Sequence, residues 1–170
     1  MQRRTLLKLG YASATTLALV GGAAALFRAP AWRNERLTDA GRQVLGAIAR
    51  AVLDGSLPEP AGAQLAALES HLDRMDATLR ALPPAMQGEV GNLLSLLAFA
   101  PGRLALAGLA TDWPLATAAQ VQGALQSMRT SRVDLCEQAY HALRDLTHAA
   151  YFAHADTWPR LGYPGPANLT

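Results

Sequence analysis

The sequence predicts an all-α fold: a small bundle of about five helices between an N-terminal leader and an ordered C-terminal tail. Two observations carry this prediction. The 170 residues are 51% hydrophobic, which is enough for one helical core, and Ala and Leu, which favour helix, dominate. Val, Ile, Phe and Tyr, which favour strands, are scarce, with aromatic residues at only 6%, and no strand is evident.

The positive charge of the chain belongs to its first 31 residues. They carry Arg3, Arg4, Lys8 and Arg28 and no acidic residue, whereas the whole chain has 15 basic and 13 acidic residues. The rest of the chain therefore holds 11 basic against 13 acidic side chains, a net charge of −2. This balance excludes the basic stripe that nucleic-acid binding needs.

Residues 1–31 have the three parts of a signal peptide. A basic start is followed by an apolar run from Leu9 to Phe27 and by an A-x-A pattern, in which Ala29 and Ala31 suit a signal peptidase that cuts before Trp32. As a helix, the apolar run would be about 28 Å long. An uncleaved leader that anchors the protein in the inner membrane is therefore the alternative.

The basic start resembles the twin-arginine consensus, in which two arginines precede a variable residue, two apolar residues and often a lysine. The matching residues are Arg3, Arg4, Leu6, Leu7 and Lys8, and the alternative is a general secretory signal that happens to carry two arginines. Since the twin-arginine route carries folded proteins, often with a cofactor already fitted, the leader predicts that this protein, or something bound to it, folds before export.

The first three body helices are predicted from apolar residues that recur every three or four positions. Thr38 is expected to cap the first, which ends near Gly55, and the second spans about 61–81. Pro84 begins a third helix that is apolar nearly all round and is therefore expected at the centre of the bundle. Pro101-Gly102 is expected to end it.

The remaining elements follow from breaks in the chain. Residues 103–109 are expected to form a short helix or turn, and the break at 111–114 precedes a helix that ends near Thr130. Ser131 is expected to cap the last helix, which ends near Ala153. The helical domain is thus predicted over residues 32–155.

The tail, residues 156–170, differs in composition from the body. Its prolines and glycines predict a loop rather than a helix or strand, while its aromatic residues predict that this loop is ordered. The rings dock either on this bundle or on a partner, where Trp and Tyr are favoured. The candidate partner interface comprises Trp158, Gly162, Tyr163, Pro164, Gly165 and Pro166.

No catalytic, cofactor-binding or metal-binding residues are predicted. His141 and His148 share a helix face, but their spacing separates the rings by about 10 Å, too far for one ion, and His154 lies near the helix end. Cys136, the single cysteine, cannot form an internal disulfide and is expected to be buried as an apolar residue. Its spacing from His141 turns the two side chains apart, which disfavours thiol catalysis.

The C-terminal third of the chain is similar to the small-subunit family of gluconate 2-dehydrogenase, often called subunit 3. The residues that carry the resemblance are Ser131, Arg132, Tyr140, Leu143, Asp145, Leu146, residues 150–153, Trp158 and residues 162–166. The twin-arginine leader, Leu57-Pro58, Pro101-Gly102-Arg103 and Trp113 also occur in the order that the family shows.

This resemblance implies an accessory subunit that is not itself an enzyme and holds no cofactor. Such small subunits accompany a large FAD-dependent dehydrogenase of the glucose–methanol–choline oxidoreductase class, which oxidises sugars, sugar acids or other alcohols, and a multihaem cytochrome c often takes the electrons onward. The small subunit would act as a chaperone for the flavoprotein and carry it through the twin-arginine translocase to the periplasmic side of the inner membrane. The alternative is a free-standing periplasmic helical binding protein with no dehydrogenase partner.

Overall fold

A computed structural model of the protein describes residues 29–165. The all-α prediction is confirmed, since within this range six α-helices and one 3₁₀ helix accompany a single two-stranded hairpin. The α-helices are α1 (Asp39–Val52), α2 (Ala61–Arg80), α3 (Pro84–Ala98), α4 (Ala100–Ala107), α5 (Ala118–Arg129) and α6 (Asp134–Phe152), and the 3₁₀ helix is Ala155–Leu161.

A short antiparallel hairpin, which the composition did not predict, opens the fold. Strand β1 (Trp32–Arg33) pairs with β2 (Arg36–Leu37), and Asn34 and Glu35 form the turn with φ of 51° and 58°. Two consecutive positive φ values are those of a type I′ turn, which closes two-residue hairpins and favours Asn. The expectation of no strand was wrong because strands of two residues are too short to show an alternating pattern.

The centre of the bundle is α1, so the prediction that the third helix lies there was wrong. α1 packs against α2, α3, α5 and α6, and half of its 14 residues are buried. α3 packs against α1, α4 and β1, and its buried residues lie between Gly91 and Leu97. The first two turns of α3 are exposed, with Met86 at 47%, so its apolar residues do not all serve the core.

Pro101 and Gly102 begin a helix rather than end one, contrary to the prediction. α3 ends at Ala98, and α4 follows at an angle of 100° with Pro101 in its first turn, where a missing N–H breaks no helical bond. Gly102 is needed here because a Cβ atom would collide with the carbonyl oxygen of Leu96. The sharp bend places the short α4 against α5.

The helix caps also differ from those expected. Thr38 occupies the N-cap of α1, but its hydroxyl donates to the carbonyl oxygen of Pro30 at 2.7 Å instead of accepting from the helix. Val133 occupies the N-cap of α6, and Ser131 accepts only from the N–H of Val133. A capping box that the sequence analysis missed joins Thr117 and Gln120 at the start of α5.

The core consists of one large apolar cluster and one small one. The large cluster runs through α1 and collects residues from every α-helix and from the hairpin. The small cluster lies where the last turn of α1 meets the end of α6, and it comprises Ala49, Leu53, Leu57, Leu68 and Tyr151, with Phe152 packed against it. The C-terminal tail begins at this second cluster.

Candidate functional site

The tail folds as a 3₁₀ helix rather than the loop that its composition predicted. Pro159 lies inside this helix, which is Ala155–Leu161, and Gly162 ends it in the left-handed conformation with φ of 68°. The exclusion of helix was wrong because a proline removes only its own N–H, and a short 3₁₀ helix tolerates the loss of that one bond. Residues 156–165, the part of the tail that the structure describes, are folded in this way.

Two side chains fasten the 3₁₀ helix to the end of α6. The indole Nε1 of Trp158 donates to the carbonyl oxygen of Phe152 at 2.8 Å. The buried hydroxyl of Thr157 lies 3.1 Å from the carbonyl oxygen of Tyr151 and 2.7 Å from that of His154. Carbonyl groups at a helix C-terminus have no partner within the helix, and the bond from Trp158 gives one to the carbonyl oxygen of Phe152, the last residue of α6. Trp158 therefore docks on this bundle.

Tyr163 presents aromatic surface to the outside. Its ring packs edge-on against that of Trp158, with centroids 5.3 Å apart, and the residue is 47% exposed. Its N–H donates to the carbonyl oxygen of Trp158 at 3.1 Å, and Pro164 beside it is exposed. Gly165 has φ of 98° close to the Trp158 ring, while Pro166 lies outside the described residues. Of the candidate interface residues, Trp158 therefore contacts this bundle and holds the ring of Tyr163 in place, while Tyr163 is the aromatic residue that is exposed.

A buried histidine that sequence analysis missed lies beside the same end of α6. His71 on α2 is 0% exposed, and neither of its ring nitrogens has a hydrogen-bond partner among residues 29–165. Its ring packs edge-on against Tyr151, whose hydroxyl donates to the carbonyl oxygen of Ser56 at 2.7 Å. Burial, followed by the charges of Arg74 and His154, lowers the pKa of His71 to about 4.

The position of His71 in the sequence would have predicted its burial. It follows Leu68 by three residues and precedes Met75 by four, so it belongs to the apolar stripe of α2. With no exposed surface, the ring is not accessible to a substrate in this conformation. At neutral pH it is an uncharged core residue.

The other histidines are spread along the last helix and beyond it. His141 is exposed and lies 3.9 Å from Glu137. His148 packs against Phe152 at 5.4 Å, and burial, followed by the charge of Arg144, lowers the pKa of His148. Within residues 29–165, no three His, Cys, Asp or Glu side chains come together as a metal ion requires.

Cys136 is buried, as predicted. It lies on α6 within the large core cluster, surrounded by apolar residues. A buried thiol in such surroundings behaves as a small apolar side chain.

An open cavity of about 430 Å³ lies between α1 and the loop that precedes α5. Its lining residues are Ala40, Gln43, Ala98, Arg103, Asp112, Trp113, Pro114 and Leu115. The buried guanidinium of Arg103 donates to the carbonyl oxygens of Leu109 and Ala110 at 3.1 and 3.2 Å and pairs with Asp112 at 2.6 Å. Trp113 donates through Nε1 to the carbonyl oxygen of Leu97 at 2.8 Å. These bonds hold the loop in place against α3 and α4.

The predicted leader reaches into the described residues only at its end. Ala29 is exposed, whereas Ala31 is 0% exposed and belongs to the large core cluster. The N–H of Ala31 donates to the Oγ atom of Ser95 at 2.9 Å, and its carbonyl oxygen accepts from the N–H of Thr38 at 3.0 Å. The export-signal residues Arg3, Arg4, Leu6, Leu7 and Lys8 lie outside the described range.

Within residues 29–165, no single helix has the length and apolar composition to cross a membrane. α3 and α4 together meet that test by length and composition, but they are bent by 100° where they meet. Comparison with known protein families, curated proteins and solved structures gives no match to the chain.

Proposed function

We propose that this protein is the small, non-catalytic subunit of a periplasmic FAD-dependent dehydrogenase. In this role it assists the maturation of the large flavoprotein and carries it, already folded, through the twin-arginine translocase. The observation that carries the proposal is a leader for folded cargo joined to a helical body whose sequence contains no cofactor-binding motif. A leader for folded cargo is explained if a bound partner, rather than this chain, must fold around a cofactor before export.

The surface that we assign to this partner is the end of the tail, centred on Tyr163. Its ring is half exposed, and the adjoining Trp158 and Thr157 are hydrogen-bonded to the end of α6. A side chain that is already held in place loses little conformational entropy when a partner covers it. Tyr also combines a large apolar face with a hydroxyl that can hydrogen-bond across an interface.

The proposal is tested by inactivating the leader in the source organism. With both Arg3→Lys and Arg4→Lys introduced, the flavoprotein should remain in the cytoplasm, and dye-linked dehydrogenase activity in the periplasmic and membrane fractions should fall at least about tenfold. The activity is measured with a panel of sugars, sugar acids and alcohols, and the position of the flavoprotein by fractionation.

The matched control replaces two exposed arginines of the hairpin, Arg33→Lys with Arg36→Lys, which should leave export unchanged. If the leader variant retains its full periplasmic dehydrogenase activity, the accessory-subunit proposal fails. A periplasmic protein that then purifies alone would favour the free-standing helical binding protein.

A further inference from the structure

We propose that the leader stays attached to the folded protein, because the fold protects the peptide bond that a signal peptidase would cut. The inference rests on the proposed function only in that the chain is exported in a folded state. The bond in question joins Ala31 to Trp32, and the structure describes both of its residues.

The backbone groups of Ala31 are already used by the fold. Its N–H donates to the Oγ atom of Ser95 on α3, and its carbonyl oxygen accepts from the N–H of Thr38 at the start of α1. The preceding carbonyl oxygen, that of Pro30, accepts from the hydroxyl of Thr38 at 2.7 Å. A protease binds an extended peptide largely through such backbone groups, which here have other partners.

The bond is also enclosed on two sides by helices. On α1, Gly41 lies so close that a Cβ atom would collide with the carbonyl oxygen of Ala31. On α3, a Cβ atom at Gly91 would come within 2.9 Å of the Cβ atom of Trp32. Each side of the bond thus packs against helix backbone, and the Ala31 side chain is fully buried. A peptidase would have to pull Ala31 out of the core, and Trp32 away from α3, before it could bind them.

Whether a signal peptidase can reach the bond between Ala31 and Trp32 depends on the export route. A chain exported unfolded would reach the peptidase before the core forms, and the Ala-x-Ala pattern would be accessible. A chain exported folded reaches it with the bond already buried. The same pattern that favours cleavage in the sequence is therefore inaccessible in the folded protein.

A retained leader makes the protein membrane-bound. The apolar run Leu9–Phe27 would span about 28 Å as a helix, close to the thickness of the hydrocarbon core. The basic residues before it are those expected to remain on the cytoplasmic side. A partner held by the folded domain would then be tethered to the membrane through this subunit.

The direct test uses the full chain purified in detergent and incubated with signal peptidase. We expect the wild-type chain to keep its full mass. The matched control carries a second Ala-Pro-Ala, followed by about ten Gly and Ser residues, inserted after Arg28, which moves the motif beyond reach of the fold. This variant should be cut after the inserted copy. Cleavage of the wild type before Trp32 at the rate of the control would overturn the proposal.

A second test measures the intact mass and location of both chains in cells. The wild-type chain should be in the membrane fraction with all its residues, and the insertion variant should be released into the periplasm. An exported wild-type chain that begins at Trp32, or that has been cut upstream, for instance after Ala25, would also overturn the proposal. A full-length membrane form without a flavoprotein would contradict the proposed function but support the retained leader.

Discussion

Two glycines mark where the start of the chain packs against the bundle. Gly41 leaves space for the carbonyl oxygen of Ala31, and Gly91 leaves space for the side chain of Trp32. Glycine usually weakens a helix, by roughly 1 kcal/mol relative to Ala, so its use within α1 and α3 indicates that close packing outweighs helix propensity there. The sequence alone does not reveal these sites, because the contacts join residues from separate elements.

The replacement Gly41→Ala should destabilise the protein by about 2–3 kcal/mol, because the added methyl group collides with backbone that cannot move aside easily. The control Gly123→Ala places a methyl group on α5 where no atom lies within 4 Å, and it should raise stability by up to about 1 kcal/mol. Thermal unfolding of the two full-length variants measures the difference. Equal melting temperatures would show that Ala31 is not packed as described.

His71 should make the stability of the protein depend on pH. Its pKa is about 4 in the folded state against 6.5 in the unfolded state, so between pH 6.5 and 4 the unfolded chain takes up a proton that the folded chain does not. The part of the free energy of unfolding that depends on a neutral His71 is fully present above pH 6.5, and it should fall by about 3 kcal/mol as the pH decreases to 4. In His71→Leu this loss should disappear, and stability at pH 7 should rise by about 1 kcal/mol, since no unpaired ring nitrogen remains.

The control for this prediction is His141→Leu, since His141 is an exposed histidine on α6. It should retain the pH dependence of the wild-type protein. Denaturant unfolding between pH 4 and 8 measures all three chains. A wild-type protein and a His71→Leu variant with the same pH profile would contradict the assignment.

The sequence predicts the helices whose bounds depend on neighbouring residues in the chain. α2 spans Ala61–Arg80 against a predicted 61–81, and α3 begins at Pro84 as expected, because apolar periodicity and proline position are local signals. The predictions that were wrong concern features that depend on tertiary contacts. The centre of the bundle depends on which apolar faces meet, and the hydroxyl of Thr38 bonds the chain at Pro30 rather than its own helix.

The docking of the 3₁₀ helix depends on the Trp158 indole, so Trp158→Phe should loosen this element alone. It keeps an aromatic ring but removes the donor to the carbonyl oxygen of Phe152, a loss of about 1 kcal/mol. Amide hydrogens that are bonded within residues 155–163 should exchange about fivefold faster, while those of α1 should be unaffected.

The control for the tail is Tyr163→Ala, which removes a half-exposed ring and leaves the indole bond in place. It should change exchange in residues 155–161 less than Trp158→Phe does. Uniformly faster exchange throughout the bundle in Trp158→Phe would show that the tail is part of the core rather than a docked element.

On the scale of the whole molecule, the leader and the tail attach at opposite ends of α1. Ala31 packs beside Gly41 in the first turn, whereas Tyr151 and Phe152 pack with Ala49 and Leu53 at the last. Eight residues of helix, about 12 Å, separate Gly41 from Ala49. The composition of the tail indicates its aromatic residues as interface candidates. It does not show that Tyr163 rather than Trp158 faces outward, because that depends on the bond from Trp158 to the carbonyl oxygen of Phe152 at the end of α6.

If the tail is the partner surface, Tyr163→Ala should weaken the complex without destabilising the subunit. We expect the amount of flavoprotein that co-purifies to fall at least about tenfold, as loss of an interface aromatic commonly costs 2 kcal/mol or more. The control Leu115→Ala removes a side chain that is 76% exposed in the loop before α5, and it should co-purify as the wild type does. Equal recovery with both variants would move the interface away from Tyr163.

Purification from the source organism shows whether this subunit has a flavoprotein partner. The full chain, tagged after Thr170, is extracted from membranes with mild detergent, the proteins bound to it are identified, and the visible absorption spectrum is recorded. We predict a large oxidoreductase in stoichiometric amount and the absorption of FAD. A colourless chain that purifies alone, from cells whose dehydrogenase activity does not depend on it, would contradict the account.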